Sequence, residues 1–216
     1  MQKSLNKLFD RAEVVFWDFD GVIKDSIKVK SVAFEQLFSS YGTNTVHKIR
    51  LHHEQNGGLS RFEKIPLYLS WSNEVVTTKK VQEFCNRFSL IVKQSVIEAP
   101  WVEGFLEFIE RNHKIKKHVL VTATPKEEII EILNSLKIFN YFYKVYGAPD
   151  AKKYAIKEVL KNLKILPKHA IMLGDSDSDY QAAKDNSVPF ILRRTEFNIE
   201  LQNKLKGKTF KDFMNE

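Results

Sequence analysis

The sequence predicts an α/β protein: a parallel β-sheet covered on both sides by helices, with a run of helices inserted after the first strand. Short apolar runs alternate with segments of helical periodicity, which is the pattern of βαβ units. Residues 24–98 break this alternation, because they show helical periods only. A chain of 216 residues is long enough to build one core with a modest insertion.

Five apolar runs are predicted to be strands, and a sixth run is a weaker candidate. Each of the five is short and rich in β-branched, aliphatic or aromatic residues, as buried parallel strands are. In chain order they are Val14–Trp17, His118–Val121, Lys144–Tyr146, Ala170–Leu173 and Phe190–Leu192, with Thr209–Phe210 as the weaker sixth.

The later helices and the insertion follow from apolar stripes at helical spacing. We predict a core domain of residues 1–23 and 99–216 and a helical cap domain of residues 24–98, with the chain returning to the core near Ala99, Pro100 and Trp101. The alternative is that these helices pack directly on the sheet. The stripes are Ala33, Phe34, Leu37 and Phe38; Val81, Phe84, Cys85, Phe88, Ile91, Val92 and Val96; Ile129, Ile132, Leu133 and Leu136; and Ile156, Val159, Leu160 and Leu163.

The charge and composition of the chain indicate which kinds of binding partner and which compartment to expect. The net charge is +7, but the lysines are dispersed and do not alternate with stacking aromatics, so we expect no nucleic-acid partner. No apolar run is long enough to cross a bilayer, and residues 1–13 do not resemble a signal peptide, so we expect no membrane partner. The lone cysteine, Cys85, favours a reducing compartment. We therefore expect a cytoplasmic location. For the oligomeric state we expect a monomer or a homodimer.

Aspartates follow two of the predicted strands. Asp18 and Asp20 come after the first strand, and Gly21 allows a sharp exit from it. Asp175 and Asp179 follow the fourth strand in Gly-Asp-Ser-Asp-Ser-Asp. Such carboxylates need a cation when they are buried together, and oxygen ligands favour Mg²⁺. The alternative for the second segment is a loop that only caps a helix.

Two further segments could bind phosphate. The second strand ends at Thr122 and Ala123, where Thr124 and Glu127 have the spacing of a capping box that would open a helix N-terminus to an anion. Lys152 falls in the first turn of a helix that Asp150 could cap, where a cation opposes the helix dipole unless an anion lies nearby. Lys153 is an alternative to Lys152.

These four motifs, in this order, resemble those of the haloacid dehalogenase (HAD) superfamily, and the insertion resembles the small α-helical cap of its first cap class. The resemblance covers the whole chain and implies a Rossmann-like core. It implies that Asp18 is the nucleophile of an Mg²⁺-dependent phosphatase and that Asp20 is the acid and base. It further implies that Thr122, Ala123 and Lys152 bind the phosphoryl group. The metal ligands would be Asp18, Asp175 and the backbone carbonyl of Asp20, with Asp179 holding metal-bound water or orienting Lys152.

The second aspartate, Asp20, favours phosphoryl transfer over dehalogenation, since dehalogenases of this superfamily lack it. In the cap, Gly58-Leu59-Ser60-Arg61 resembles the substrate loop of related phosphatases and sugar-phosphate mutases. Arg61 is therefore the first candidate for a substrate contact, with Lys64 and His53 behind it. The alternative is that Ser60 and Glu63 only start a helix whose charges face solvent.

The resemblance implies a small phosphorylated metabolite as the substrate, with a sugar phosphate favoured. Two alternatives remain at this point. One is a hexose-phosphate phosphomutase, which would use the same catalytic residues, and the other is a non-catalytic binding protein on the same fold.

Overall fold

A computed structural model describes residues 8–214. The fold is an α/β structure in which six parallel strands form one sheet with the order β3-β2-β1-β4-β5-β6. The strands are β1 (Val14–Trp17), β2 (Lys117–Pro125), β3 (Lys144–Ala148), β4 (Ala170–Gly174), β5 (Phe190–Arg193) and β6 (Lys208–Phe210).

All six predicted strands are confirmed, and five of them are longer than the apolar runs that predict them. The largest extension is in β2, which continues to Pro125 through a register irregularity after Val121. Periodicity does not detect this extension, because Thr122, Ala123 and Thr124 are not part of the apolar run.

Nine α-helices follow β1 in the described residues, and the first four form the helical insertion between β1 and β2. In the insertion they are α1 (Ile27–Leu37), α2 (Thr43–Gln55), α3 (Arg61–Trp71) and α4 (Thr78–Glu98). The others are α5 (Phe105–Asn112), α6 (Lys126–Ser135), α7 (Lys152–Leu163), α8 (Asp177–Asp185) and α9 (Ile199–Lys204). None of the helices in residues 8–214 is both long and apolar enough to cross a membrane.

The central strand β1 is buried on both faces, which is why all four of its residues are apolar. Val14 and Phe16 belong to a cluster with residues of α7 and α8. Val15 and Trp17 point to the opposite face, into a cluster that includes residues of α5, α6 and the helical insertion. Because successive side chains of a strand alternate between faces, this four-residue run holds the two helical layers against one sheet.

The helical insertion is held together mainly by aromatic packing. The rings of Phe34 in α1 and Phe88 in α4 stack with their centroids 4.0 Å apart. Tyr68 of α3 meets Phe34 edge-on at 5.3 Å, and it meets Phe38 at 5.8 Å. Such pairs add about 0.5–1.5 kcal/mol each to the free energy gained by burial.

The two chain segments that connect the insertion to the sheet run side by side. Lys24 forms an antiparallel bridge with Trp101. The Lys24 ammonium donates to the carbonyl of Ile97 at 3.0 Å and lies 4.1 Å from the centre of a Trp101 ring. The insertion therefore leaves and re-enters the sheet at one place. Its status as a separate domain is a proposal, and residues 1–7 and 215–216 of the predicted core lie outside the described residues.

Two predicted helix caps are wrong. Helix α6 begins at Lys126 after Pro125, so Thr124 lies in β2 instead of capping the helix. Helix α7 begins at Lys152 after Ala151, and no side chain caps it, so Asp150 does not have the predicted role. In the first case the strand continues further than the apolar run. In the second the Asp150 carboxylate lies toward Lys126, at 4.0 Å.

The stability of the fold should fall in mild acid because of a buried histidine. The Trp17 indole N–H donates to Nδ1 of His118 at 2.9 Å, and burial lowers the pKa of His118 to about 4. Below about pH 6.5 the unfolded chain binds a proton that the folded protein excludes, so His118 should cost about 3 kcal/mol of unfolding free energy between pH 7 and pH 4. Urea denaturation at several pH values measures this loss.

The matched control is His118→Asn, whose amide oxygen takes the place of Nδ1 and can accept the same hydrogen bond without titrating. The variant should lose about 3 kcal/mol less than the wild type over the same pH range. Parallel pH profiles for the two proteins would exclude His118 as the source.

Candidate functional site

The site lies where β1 and β4 end side by side. These neighbouring parallel strands pair Trp17 with Leu173, so the residues that follow emerge at the same edge. The Asp18 backbone N–H donates to the carbonyl of Leu173 at 3.0 Å, which fixes this alignment. Carboxylate oxygens of Asp18, Asp175 and Asp179 all lie within 4.8 Å of one another, and all three residues are buried.

One ammonium group holds two of these carboxylates. Lys152 is the first residue of α7, and its Nζ donates to Asp18 at 2.9 Å and to Asp179 at 2.6 Å. Lys152 is buried, whereas Lys153 forms an exposed ion pair with Asp185. Of the two predicted alternatives, the structure places Lys152 in the cluster.

Asp179 has two sets of partners, one for each of its carboxylate oxygens. One oxygen accepts from Lys152, and the other accepts from the backbone N–H and the hydroxyl of Ser176 at 3.1 Å and 2.6 Å. Ser176 and Asp179 thus form a capping box at the start of α8. This segment therefore caps a helix and also supplies carboxylates to the cluster, so it is more than the loop of the alternative, which only caps a helix.

The carboxylate of Asp175 has a different environment from those of Asp18 and Asp179. Among the described residues, no N–H or O–H group donates to its carboxylate, although the residue is buried. Gly21 allows the close approach: it has φ +75°, and a Cβ atom there would lie 2.2 Å from a carboxylate oxygen of Asp175. A glycine is therefore required at this position on both conformational and steric grounds.

The electrostatics of the cluster fit a divalent cation. Burial, and then the neighbouring Asp179, raise the pKa of Asp18 to about 7. Burial, followed by Asp18 and Asp179, raises the pKa of Asp175 well above its usual value. Burial opposes the charge of Lys152, yet Asp179 and Asp18 raise its pKa above the usual range. A divalent ion would offset the negative charge that these carboxylates carry when they are ionised, and an all-oxygen set suits a hard divalent ion.

Asp20 sits apart from this cluster in its own network of donors. Its carboxylate accepts from Ser26 at 2.6 Å, from Thr124 at 3.2 Å and from the ammonium of Lys30. Burial raises the pKa of Asp20, but the charge and hydrogen bond of Lys30 outweigh burial and hold that pKa below its usual value. Lys30 also donates to the Thr124 hydroxyl at 2.9 Å, so it ties α1 of the insertion to the end of β2.

The predicted phosphate-binding segment lies at the carboxyl end of β2. Thr122 is buried, and its hydroxyl oxygen accepts from the backbone N–H of Thr124 at 3.2 Å, which leaves its own proton free to donate. Ala123 and Thr124 line a small cavity together with Asp20. Thr122 thus lies on the strand next to β1, at the same edge of the sheet as Asp18.

The loop at Gly58 and the start of α3, which follows it, contact the core at two points. Ser178 donates to the carbonyl of Gly58 at 3.2 Å. Arg61 forms a bidentate ion pair with Glu128 of α6, with one nitrogen at 2.8 Å, and Ser89 donates to the same carboxylate at 2.6 Å. Arg61 is buried, so the alternative in which the charges of this helix face solvent is wrong for Arg61, although Ser60 and Glu63 do form the capping box.

Lys64 and His53 form a second buried pair in the insertion. Nζ of Lys64 lies 3.0 Å from Nδ1 of His53. Burial, and then the charge of Lys64, hold the pKa of His53 well below its usual value, so the imidazole is neutral and accepts the hydrogen bond. Both side chains line the cavity that Asp20 and Ala123 also line.

Sequence reasoning missed two charged residues of this region, Lys30 and Glu128. A signal was present for both. Lys30 is three and four residues before Ala33 and Phe34, and Glu128 is four residues before Ile132. A charge on the buried stripe of a helix needs a partner and therefore marks an interior site.

The fold and this edge of acidic side chains define a class of protein: an α/β enzyme with a carboxylate-rich site at the carboxyl ends of parallel strands. Residues 15–192 match the model of the haloacid dehalogenase-like hydrolase family, and the chain belongs to that family. The resemblance drawn from the four motifs is therefore confirmed.

Similar proteins include phosphatases. A phosphorylated carbohydrates phosphatase of Thermotoga maritima is 29% identical over 189 residues, which cover 82% of each chain. A phosphoglycolate phosphatase of Colwellia psychrerythraea is 24% identical over 191 residues, which cover 82% of this chain and 81% of that one. A β-phosphoglucomutase structure from Clostridium difficile superposes with a TM-score of 0.75 at 18% identity, covering 94% of this chain and 92% of that one. The chain is thus an enzyme of the phosphatase type, as the sequence predicts.

Substitutions of the two adjacent lysines, Lys152 and Lys153, should change the unfolding free energy by unequal amounts. Lys152→Met removes the cation that holds two buried carboxylates, so it should lower the unfolding free energy by about 3–5 kcal/mol. Lys153→Met is the matched control; it removes an exposed pair and should cost less than about 1 kcal/mol. Urea denaturation in EDTA compares the two variants with the wild type, and equal losses would mean that Lys152 does not hold the cluster.

Proposed function

We propose that this enzyme is an Mg²⁺-dependent phosphatase that hydrolyses a small phosphorylated metabolite through an aspartyl-phosphate formed on Asp18. The observation that carries the proposal is the buried carboxylate of Asp18, which contacts Lys152 at 2.9 Å and lies within 4.8 Å of Asp175 and Asp179. The family match and the phosphatase relatives support it.

Asp18 is the nucleophile in this proposal. A carboxylate that attacks a phosphate monoester meets like-charge repulsion, and Lys152 reduces that repulsion from its position against Asp18. The Thr122 hydroxyl donates to a phosphoryl oxygen, with the backbone of Ala123 beside it. Forming a covalent intermediate divides one difficult displacement into two easier ones.

Asp20 is the acid and base. It protonates the leaving oxygen in the first half of the reaction and activates water in the second, which typically contributes about 10²–10⁴-fold to the rate. In the structure Lys30, Ser26 and Thr124 fix the position of its carboxylate. Protonation of Asp20 then requires the Lys30 ammonium to move to another acceptor, since Lys30 favours the ionised form.

Mg²⁺ is the proposed metal, and Asp18, Asp175 and the backbone carbonyl of Asp20 are its proposed ligands, with Asp179 orienting Lys152. When bound, the ion supplies positive charge that offsets the phosphoryl group and the nucleophile. The fit rests on the buried acidic cluster and on the Asp175 carboxylate that no described donor contacts.

The helical insertion is proposed to act as a separate cap domain, residues 24–98, that covers the site. Two of its contacts with the core join Gly58 to Ser178 and Arg61 to Glu128, and Arg61 also lines the cavity at Asp20. A closed cap admits small substrates and excludes water. A sugar phosphate remains the favoured class, supported by the relative that is named a phosphorylated carbohydrates phosphatase. The cytoplasmic location and the oligomeric state stay predictions.

Hydrolysis should require Mg²⁺. The enzyme is expected to release phosphate from 4-nitrophenyl phosphate with Mg²⁺ present and to stop when EDTA is added, because the acidic cluster then lacks its counter-charge. Asp175→Asn should raise the Mg²⁺ concentration needed for half-maximal rate, whereas Asp177→Asn, an exposed aspartate two residues away, is the matched control and should not. A full rate in EDTA would refute the metal dependence.

A burst experiment separates the nucleophile from the acid and base. Nitrophenolate leaves without protonation, so Asp20→Asn should release about one nitrophenolate per active site and then turn over slowly, since water is no longer activated. Asp18→Asn should give neither burst nor turnover. Stopped-flow absorbance measures both, and an Asp18→Asn protein that keeps the wild-type rate would refute the nucleophile.

A further inference from the structure

A buried arginine joins the end of β5 to the turn that follows β1. Strand β5 lies beside β4, so Arg193, its last residue, emerges at the edge of the sheet where Asp175 lies. The Arg193 side chain is buried, and its Nη1 donates to the backbone carbonyl of Gly21 at 2.9 Å. This carbonyl is one residue beyond that of Asp20, a proposed metal ligand. Arg193 therefore holds the backbone of the turn next to that ligand.

The other contacts of the guanidinium fix its orientation. Its Nε donates to the carbonyl of Lys211 at 3.0 Å, its Nη2 donates to the Asp25 carboxylate at 3.3 Å, and Nη1 also contacts that carboxylate. Gly21 has φ +75°, and glycine has the fewest steric restraints of any residue. A planar fork that is held on several sides thus restrains a turn whose own backbone is permissive.

Asn198 holds the other loop of the proposed metal site. Its Nδ2 donates to the backbone carbonyl of Asp175 at 2.7 Å and to that of Arg193 at 2.8 Å. Its Oδ1 accepts from the backbone N–H of Thr195 at 2.9 Å and from the Gln202 amide at 2.7 Å. An asparagine side chain offers two donors and two lone pairs, so this buried amide uses all of its hydrogen-bonding groups.

The position of Asn198 suits a helix cap, but its side chain binds other groups. Asn198 is the N-cap residue of α9, where an asparagine oxygen usually accepts from the first backbone N–H groups of the helix. Its oxygen accepts no such bond from the described residues of α9, and its nitrogen points to the loop at Asp175. The observed geometry therefore indicates a role at Asp175 instead of a role in starting α9.

The Asp175 carboxylate depends on its backbone for its position. Among the described residues no N–H or O–H group donates to that carboxylate, whereas Lys152 holds both Asp18 and Asp179. The Asp175 backbone N–H donates to Asp179 at 3.3 Å, and its carbonyl accepts from Asn198. Groups that orient a metal ligand without touching the metal commonly change metal affinity by about 10–100-fold.

We propose that Asn198 and Arg193 are positioning residues that set the affinity of the metal site, because they hold the Asp175 loop and the Gly21 turn in fixed relative positions. The two residues are directly linked, since Asn198 donates to the Arg193 carbonyl. The segment 193–198 thereby joins the two loops that carry Asp175 and the Asp20 carbonyl. This inference rests on the proposed metal-dependent function and adds to it two residues outside the four motifs.

Metal binding without substrate measures this role. Mn²⁺ suits the same oxygen ligands as Mg²⁺, and electron paramagnetic resonance of the free ion gives its dissociation constant on the substrate-free enzyme. Asn198→Ala should raise that constant about 10–100-fold. Asn203→Ala, at an exposed asparagine of α9, is the matched control and should keep the wild-type constant. Melting curves show whether each variant is folded at the temperature of the measurement.

The Mg²⁺ dependence of the rate separates positioning from a structural role. The proposed ligands remain in Asn198→Ala, so saturating Mg²⁺ should restore most of kcat, and the Mg²⁺ concentration for half-maximal rate should rise about 10–100-fold. A merely destabilised enzyme would instead lose rate in equal proportion at every Mg²⁺ concentration.

Arg193 allows a second test by chemical rescue. Arg193→Ala should raise the Mn²⁺ dissociation constant about tenfold. Low concentrations of guanidinium should lower it again, because a cavity of about 370 Å³ lined by Asp25 and Arg193 gives the added ion access. Methylammonium, which carries the charge without the planar fork, should not. Arg194→Ala, at the neighbouring exposed arginine, is the matched control and should keep the wild-type constant.

A milder variant replaces either alanine variant that does not fold. Arg193→Lys keeps a positive charge beside Asp25, but its single ammonium cannot reproduce the fork. Asn198→Ser keeps a hydroxyl, which has one proton to donate instead of two. Each should raise the Mn²⁺ dissociation constant in the same direction as the alanine variant.

The outcomes separate this inference from the proposed function. A wild-type Mn²⁺ dissociation constant in the folded variants of Asn198, or in those of Arg193, overturns the inference whether or not phosphate is released. Weaker Mn²⁺ binding in both supports it even if no phosphate ester is hydrolysed, in which case the phosphatase proposal fails alone. A wild-type enzyme that binds no Mn²⁺ overturns the inference together with the proposed metal, while the burst experiment still decides the nucleophile.

Discussion

The ion pairs of Lys152 with Asp18 and Asp179 are the interaction on which the site depends. Without that ammonium, three buried carboxylates would meet within 4.8 Å and would have to protonate. The fold supplies it by starting α7 at Lys152, where the side chain reaches back over the strand ends. A lysine in the first turn opposes the helix dipole, but the two carboxylates more than offset that small cost. The same cation therefore stabilises the buried carboxylates and places a positive charge against Asp18, the proposed nucleophile.

The strands and the acidic edge were predictable because each depends on local sequence. Buried parallel strands need continuous apolar runs, and β1 and β4 have them. Parallel strands end at a common edge, so Asp18 and Asp175 had to lie close together once β1 and β4 were neighbours. The choice between Lys152 and Lys153 was not predictable from position alone. It depends on which side of α7 faces the sheet, and the structure shows Lys152 inside and Lys153 in solvent.

The partners of the insertion's charges could not be predicted, because they depend on how distant helices pack. Arg61 meets Glu128, 67 residues away, and Lys30 meets Asp20 and Thr124 in two different segments. Spacing along one helix shows that a charge is interior, but it does not show what that charge contacts. The wrong cap at Thr124 has the same origin: its hydroxyl bonds to the Asp20 carboxylate, a tertiary contact that competes with local helix capping.

The contacts between the insertion and the core also bear on the proposed role of the insertion as a cap. Gly58 with Ser178, Arg61 with Glu128 and Lys30 with Asp20 all cross from one to the other. Moving the insertion away breaks all three, and it exposes the charges of Arg61, Glu128, Lys30 and Asp20 to water, which solvates them. Since the cost of desolvating an ion pair nearly cancels its attraction, closing these pairs changes the free energy little in either direction. A substrate held between the insertion and the core would add contacts present only in a closed form, and by linkage it would shift the equilibrium toward closure. On this argument the proposed cap would need little free energy of its own to close, and substrate binding would complete the assembly of the proposed site.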